Sequence, residues 1–273
     1  MLASLLVVFR EILEAGLIVG IVLAATRGIP GRLKWTGAGI AAGVAGAIVV
    51  AAFADALYAA FAGSGQELFN AAVLGAAVLM LAWHNVWMAQ HGRQMAEESR
   101  DLGRSVAAGE RPLYAVTMVI ALAVLREGSE VVLFLYGIAA GGAQGTGMLI
   151  GGLLGVAAGV AVSWLLYTGL LRIPLRHLFS VTGAMVTLLA AGMAAQAVRF
   201  LIQMGAVPPL MDEVWDTSGI LRDDSLLGLA LKTLVGYTDR PAGMQLLAWL
   251  ATIAIIVALT RLVRPVPARA PAE

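Results

Sequence analysis

The chain has 273 residues, 60% of them hydrophobic and 13% charged, with a formal net charge of +1 and no cysteine. Soluble domains are about a quarter charged, so this balance, with recurring apolar runs of more than about 18 residues, describes an all-α integral membrane protein. The near-neutral charge implies no nucleic-acid partner, and the absence of cysteine excludes a disulfide framework and a thiolate metal site.

Seven transmembrane helices are expected, at residues 2–26, 36–62, 67–90, 113–140, 146–171, 178–204 and 243–263. The first reads as a retained span rather than a signal peptide. It lacks a basic start, and Arg10, Glu11 and Glu14 interrupt its apolar run. It ends at the turn-rich break Arg27-Gly28-Ile29-Pro30-Gly31. Span 2 carries Gly37, Gly39, Gly43 and Gly46, and span 5 carries Gly151, Gly155 and Gly159, small-residue faces suited to close helix packing. Asp55, towards the outer end of span 2, reads either as an interfacial, solvated aspartate or as a ligand.

Span 3 holds His84, Met88 and His91 at i, i+4 and i+7, on one face. One reading is metal contact along a pathway. The plainer one has His91 at the membrane surface and His84 bonded to a neighbouring helix. Residues 91–112 carry eight charged residues of both signs, with Gly103 and Gly109, and are expected to form a cytoplasmic linker with one amphipathic helix. Span 6 ends with Gln196, Arg199 and Gln203. An arginine within a span needs an acidic partner, such as a motif glutamate or Asp55, or a wet cavity.

Residues 205–242 form the one long loop on the expected outer side. Its acids Asp212, Glu213, Asp216, Asp223, Asp224 and Asp239 face three basic residues. They read as a solvated surface or, together, as a device that raises the local cation concentration. Pro208-Pro209, Trp215 and Tyr237 suggest an ordered lid. The eleven methionines are scattered, as packing residues are.

One pattern occurs twice inside apolar runs: Arg10-Glu11-Ile12-Leu13-Glu14 and Arg126-Glu127-Gly128-Ser129-Glu130. Each ionised side chain near midplane costs upward of about 2.5 kcal/mol. At about 100° per residue, the two glutamates of a copy are about 60° apart, and the arginine lies about 40° from the second. Two such faces meeting would give four carboxylates tempered by two guanidinium groups, a hard-oxygen cation site. Structural ion clusters are the alternative, although holding helices together does not require two in-line carboxylates in each copy. No His-Glu-x-x-His, Gly-x-Ser-x-Gly or phosphate-binding loop is present, and nothing supplies a nucleophile or an oxyanion site, so an enzyme is not expected.

Twelve of the Lys and Arg residues fall in loops of one side and three in the loop of the other. The N-terminus is therefore expected outside and the C-terminus in the cytoplasm, across the cytoplasmic (inner) membrane. The two motifs are 116 residues apart with an odd number of crossings between them. This predicts an inverted 3+3 repeat plus one extra helix in a single transmembrane domain, 1–273. Its parts are repeat 1 at about 1–90, the linker 91–112, repeat 2 at about 113–204, the loop 205–242 and the last span 243–263. Such repeats place the substrate site near midplane.

Seven spans with Arg-Glu-x-x-Glu in the first and fourth resemble the oxidase-dependent iron permeases of fungi and bacteria, over nearly the whole chain. The resemblance implies import of ferric iron handed over by an iron-oxidising or iron-delivering protein on the outer face. It makes Glu11, Glu14, Glu127 and Glu130 the iron ligands, with Arg10 and Arg126 beside them. Iron is then cargo, and no resident cofactor is expected; membrane lipid surrounds the chain, and a homo-oligomer is compatible with it. The fungal proteins have an Asp-Ala-Ser-Glu element in an outer loop. This chain has no copy and offers Asp212-Glu213 and Asp223-Asp224 instead. It also lacks the large N-terminal extension of some bacterial members, so a separate oxidising protein is expected. Four ionised glutamates and two arginines leave two negative charges at midplane, so some glutamates are expected to be protonated before iron arrives, and binding to release protons. Two alternatives stay open: a proton-coupled transporter of another cation, and a membrane scaffold.

Overall fold

A computed structural model describes residues 1–60, 66–140, 145–169, 175–223 and 225–263. Among these the secondary structure is helical throughout: α1 (Leu2–Ala25), α2 (Arg32–Ala60), α3 (Gln66–Ala107), α4 (Tyr114–Ala140), α5 (Gly145–Thr168), α6 (Leu175–Gln203), α7 (Leu226–Val235) and α8 (Gly243–Leu262). Five stretches among the described residues are long and apolar enough to cross a membrane: Arg32–Ala56, Glu67–Met88, Gly145–Thr168, Ser180–Gln203 and Gly243–Leu262. Helices α1 and α4 are of similar length, 24 and 27 residues, but each carries the three charges of a motif.

Two elements differ from the sequence expectation. The charged segment after residue 90 is not a separate linker helix. It continues α3, which is 42 residues long, about 60 Å at 1.5 Å per residue and twice the hydrocarbon thickness. Side-chain pairs one turn apart support the extension: Gln94 Nε2 donates to Glu98 Oε1 (2.8 Å) and Arg104 pairs with Asp101 (2.6 Å). Gly103, read as a linker glycine, lies against Ala25 of α1, where there is no room for a methyl group. The second difference is α7, inside the long loop. Ser225 Oγ accepts from the amide of Gly228 (3.0 Å), and Gly236, at φ 77°, closes the other end. Gly236 packs on Gly192 of α6, and Trp249 Nε1 of α8 donates to Val235 O (2.6 Å), so α7 is docked on the bundle.

The glycine faces set the packing. Helix α1 lies against α5 and α4 lies against α2, each pair running parallel. A methyl group built on Gly155 would sit 2.7 Å from Leu5 O and 2.9 Å from Val8 Cβ; one on Gly43 would sit 2.8 Å from Ala121 O and 2.6 Å from Val124 Cβ. Leu5 and Ala121, and Val8 and Val124, are each separated by the same 116 residues as the two motifs. Helices α3 and α6 cross antiparallel, tied by Asn85 Nδ2 donating to Gly183 O (3.2 Å) and Thr187 Oγ1 (2.9 Å).

Two apolar clusters form inside. One gathers Ala3 and Val7 of α1, Leu74, Ala77 and Leu81 of α3, Phe134 and Ile138 of α4, Val186 to Met193 of α6, and Ile256 of α8. The other gathers Val22 of α1, Leu102 and Val106 of α3, and Val116 and Ile120 of α4. Along α1, α3 and α4 a polar layer lies between them, at residues 10–14, 84 and 126–130. Helices α1 and α4 must run antiparallel for both clusters to form, since each joins the start of one to the end of the other.

Candidate metal centre

The polar layer holds both motifs. On α1, Arg10 is enclosed with its own glutamates: Nη1 lies 3.2 Å from Glu11 Oε1 and Nε 3.0 Å from Glu14 Oε1. On α4, Arg126 Nε lies 3.2 Å from Glu130 Oε1 and 3.8 Å from Glu127 Oε1. These are the i to i+4 and i to i+1 relations that the helix repeat imposes on the motif. Glu11, Glu14, Glu127 and Glu130 are all buried.

His84 of α3 joins the two halves and is only 1% exposed. Its Nε2 lies 3.2 Å from Glu14 Oε2, and its Nδ1 contacts Glu130 Oε2. Glu11, His84, Glu127 and Glu130 each offer one ligand atom, and these atoms all lie within 4.8 Å of one another. Metal–ligand bonds of about 2–2.5 Å span donors that far apart. Among the described residues, no hydrogen-bond donor reaches either carboxylate oxygen of Glu127 or Oε2 of Glu11. Buried carboxylate oxygens without donors are costly, and a cation is the natural partner for them.

The two arginines are not equivalent. The Arg10 side chain is 3% exposed, that of Arg126 36%. The Arg126 guanidinium lies 4.2 Å from the centroid of the Trp87 ring, and its Nη1 contacts Met95 Sδ at 4.0 Å. His91 stacks on Trp87, with centroids 5.0 Å apart and planes at 15°, and its Nδ1 lies 3.2 Å from Trp87 O.

Other sequence candidates fall outside the cluster. Met88 is half-buried one turn past His84, and His91 packs on Trp87 instead. Arg199 is half-buried on α6 and, among the described residues, forms no ion pair with a motif glutamate or with Asp55. Gln196 is half-buried on α6, and Gln203 is exposed at its end. Asp55 is exposed and accepts from Tyr136 Oη (3.1 Å), as an interfacial aspartate would.

Among the described residues, three of the six acids of the long loop are matched by its own bases. Arg240 holds Glu213 (3.3 Å) and Asp216 (2.9 Å), and Lys232 holds Asp223 (2.7 Å). The hydroxyl and amide of Ser218, with Arg240, keep the Asp216 carboxyl below the ordinary carboxylate range. Asp212 is exposed, and Asp224 lies outside the described residues. Tyr237 Oη donates to Leu221 O (2.7 Å) and lies 2.6 Å from Thr217 Oγ1, tying the loop across its length.

Sequence reasoning passed over Asn85, Trp87, Met95 and Arg240. The signal for the first two was adjacent to one already noted: a polar pair, His84-Asn85, followed by a tryptophan, inside an apolar run.

Residues 1–264 match the model of the iron permease FTR1 family. The chain is 31% identical over 280 residues to the ferrous iron permease EfeU of Escherichia coli O6:H1, covering 100% of this chain and 99% of the relative. It is 30% identical over 280 residues to the putative inactive ferrous iron permease EfeU of Escherichia coli K12, with the same coverage. Identity to the ferrous iron permease EfeU of Shigella sonnei is 30% over 279 residues, again covering 100% of this chain and 99% of the relative. No solved structure matches the chain. The chain belongs to the iron permease FTR1 family.

Proposed function

We propose that this protein imports iron across the cytoplasmic membrane, with Fe3+ bound near midplane by the glutamates of the two Arg-Glu-x-x-Glu motifs. The observation that carries this reading is the meeting of both motifs in one buried, histidine-bridged layer in which, among the described residues, Glu11 Oε2 and both oxygens of Glu127 lack donors. A scaffold needs no such oxygens. Fixed negative charge in a low-dielectric site favours a highly charged cation, and Arg10 and Arg126 limit the cost of that charge before iron arrives.

In this reading α1 and α4 cross the membrane as well, giving seven crossings with α8 as the extra helix. Helices α1–α3 and α4–α6 are inverted repeats. The parallel α1–α5 and α2–α4 pairs, with glycines against residues 116 positions apart, support that symmetry. The surplus of Lys and Arg on one side supports an outer N-terminus and a cytoplasmic C-terminus.

The relatives are named as ferrous iron permeases. A separate protein that oxidises or delivers iron at the outer face, near the 205–242 loop, reconciles ferrous supply with a ferric-type site. Uptake by the purified protein in liposomes, offered Fe2+ or Fe3+ against Mn2+, Zn2+ and Mg2+, tests the proposal. Preferential iron entry supports it; equal entry of another divalent ion favours a general cation carrier; no entry returns the chain to a scaffold.

A further inference from the structure

The two motif halves are matched by their 116-residue offset, but the residue that joins them is single. His84 comes from α3 and is enclosed by groups of both motifs: Glu14 of α1 at Nε2 and Glu130 of α4 at Nδ1. Three of the four motif glutamates, Glu11, Glu127 and Glu130, converge with His84 within 4.8 Å, and Glu14 is not one of that group. Glu14 is instead held by Arg10 on one oxygen, at 3.0 Å, and by His84 Nε2 on the other, at 3.2 Å. The unsatisfied buried oxygens of Glu127 and Glu11 belong to the converging set.

We infer that His84 is a ligand of the transported metal through Nδ1, and that Glu14 acts through it as the carboxylate that orients the ring. The inference rests on the iron-import reading above and changes its ligand set from four carboxylates to three carboxylates and one imidazole. The chemistry follows a general rule of metal sites. A ligating histidine gives its second ring N–H to a carboxylate, which fixes the tautomer and the ring orientation. Here Nε2–H donates to Glu14, and Nδ1 keeps its lone pair for the metal. Arg10 in turn fixes Glu14, so the chain of contacts runs from Arg10 to Glu14 to His84 to the metal. The cage spans three helices, so it comes apart whenever α3 moves relative to α1 and α4.

One nitrogen among oxygens also alters selectivity. Carboxylates alone suit Mg2+, Ca2+ and Mn2+; imidazole suits iron, cobalt, copper and zinc. His84 would therefore discriminate against the abundant hard divalent ions.

The test uses Cu2+ as a spectroscopic probe on the full chain, purified without a polyhistidine tag. The sequence has three histidines, His84, His91 and His177. Replacing His91 and His177 by Gln leaves His84 as the sole imidazole. Pulsed electron paramagnetic resonance of that variant should show the nitrogen modulation of a coordinated imidazole, and His84→Gln should abolish it. Glu14→Gln should keep the modulation but weaken Cu2+ binding by about 10- to 100-fold, as loss of an orienting carboxylate does. Competition should show Co2+ losing about tenfold or more against Mg2+ in His84→Gln. Because the decisive spectrum comes from a chain that still contains His84, failure of the His84 variant to fold does not affect it. Cu2+ bound by the two-histidine variant without imidazole modulation would overturn the inference while leaving a carboxylate metal site intact. No Cu2+ or iron bound by the parent would overturn the import reading itself.

Discussion

Arg126 lies over the face of Trp87, 4.2 Å from the ring centroid, whereas its counterpart Arg10 is enclosed by Glu11 and Glu14. The same motif thus sits in two environments: one guanidinium is sealed in, the other is half open and held by an aromatic ring on α3. Removing Arg10 leaves buried carboxylates uncompensated, so Arg10→Ala should destabilise the protein by about 3–5 kcal/mol. Arg126→Ala should cost distinctly less, because that side chain is less enclosed, 36% exposed against 3% for Arg10, and rests on the Trp87 ring. Thermal unfolding of the two variants in one detergent checks the order; equal losses would remove the asymmetry.

Trp87→Leu should act on transport more than on stability. It keeps an apolar, though smaller, side chain but removes the ring face, worth about 0.5–2 kcal/mol to the cation. Arg126 is then less firmly positioned beside Glu130. Iron uptake should fall severalfold while the melting temperature changes by a few degrees at most. An unchanged rate would make the stack incidental.

The helix pairs make a matched prediction. A methyl group on Gly43 or Gly155 meets backbone oxygen at 2.8 and 2.7 Å, atoms that cannot swing aside. Gly43→Ala and Gly155→Ala should therefore each cost about 1–3 kcal/mol. A methyl group on Gly152 meets nothing within 4 Å, so Gly152→Ala should be neutral or slightly stabilising. Thermal melts of the three single variants suffice.

These pairings mark where the sequence stops being legible. Charge and apolar runs placed the bounds of α1, α2, α4, α5, α6 and α8 within a few residues, but not the end of α3 or the helix α7, and the doubled motif pointed to the polar layer. Gly151, Gly155 and Gly159 announced close packing, but nothing local says that their partner is α1. His84 offered the same ambiguity. One histidine in an apolar helix is as compatible with a satisfied hydrogen bond as with a site, and what decides it are Glu14 and Glu130, 70 positions before it and 46 after. The acids of the long loop read as a solvated surface or, together, as a device that raises the local cation concentration. The Arg240 pairs with Glu213 and Asp216, 27 and 24 positions away, show part of their charge spent within the loop.

That pairing refines what the loop should do. Arg240→Ala should loosen it and speed tryptic cleavage at Arg222 and Lys232 at neutral pH. The Asp216 carboxyl is held below its usual range, so its link to Ser218 and Arg240 is present at neutral pH and lost only as pH falls through that depressed value. Cleavage resistance of the parent should thus persist at pH 5. Neutralising Asp212, Glu213, Asp216, Asp223 and Asp224 together should raise the apparent KM for iron with the native donor present. An unchanged KM would leave those acids a structural role only.

The central claim is that the two motifs form one iron site. Its most direct test is radioactive iron uptake into liposomes by the parent, Glu11→Gln, Glu127→Gln and the double variant, each checked for folding by its melt. Residues that act as one unit are strongly non-additive. Each single substitution should abolish uptake nearly as completely as the pair. Two singles that each keep a substantial rate, with the double variant losing the product of both effects, would mean that the motifs serve separate sites, and would contradict the account.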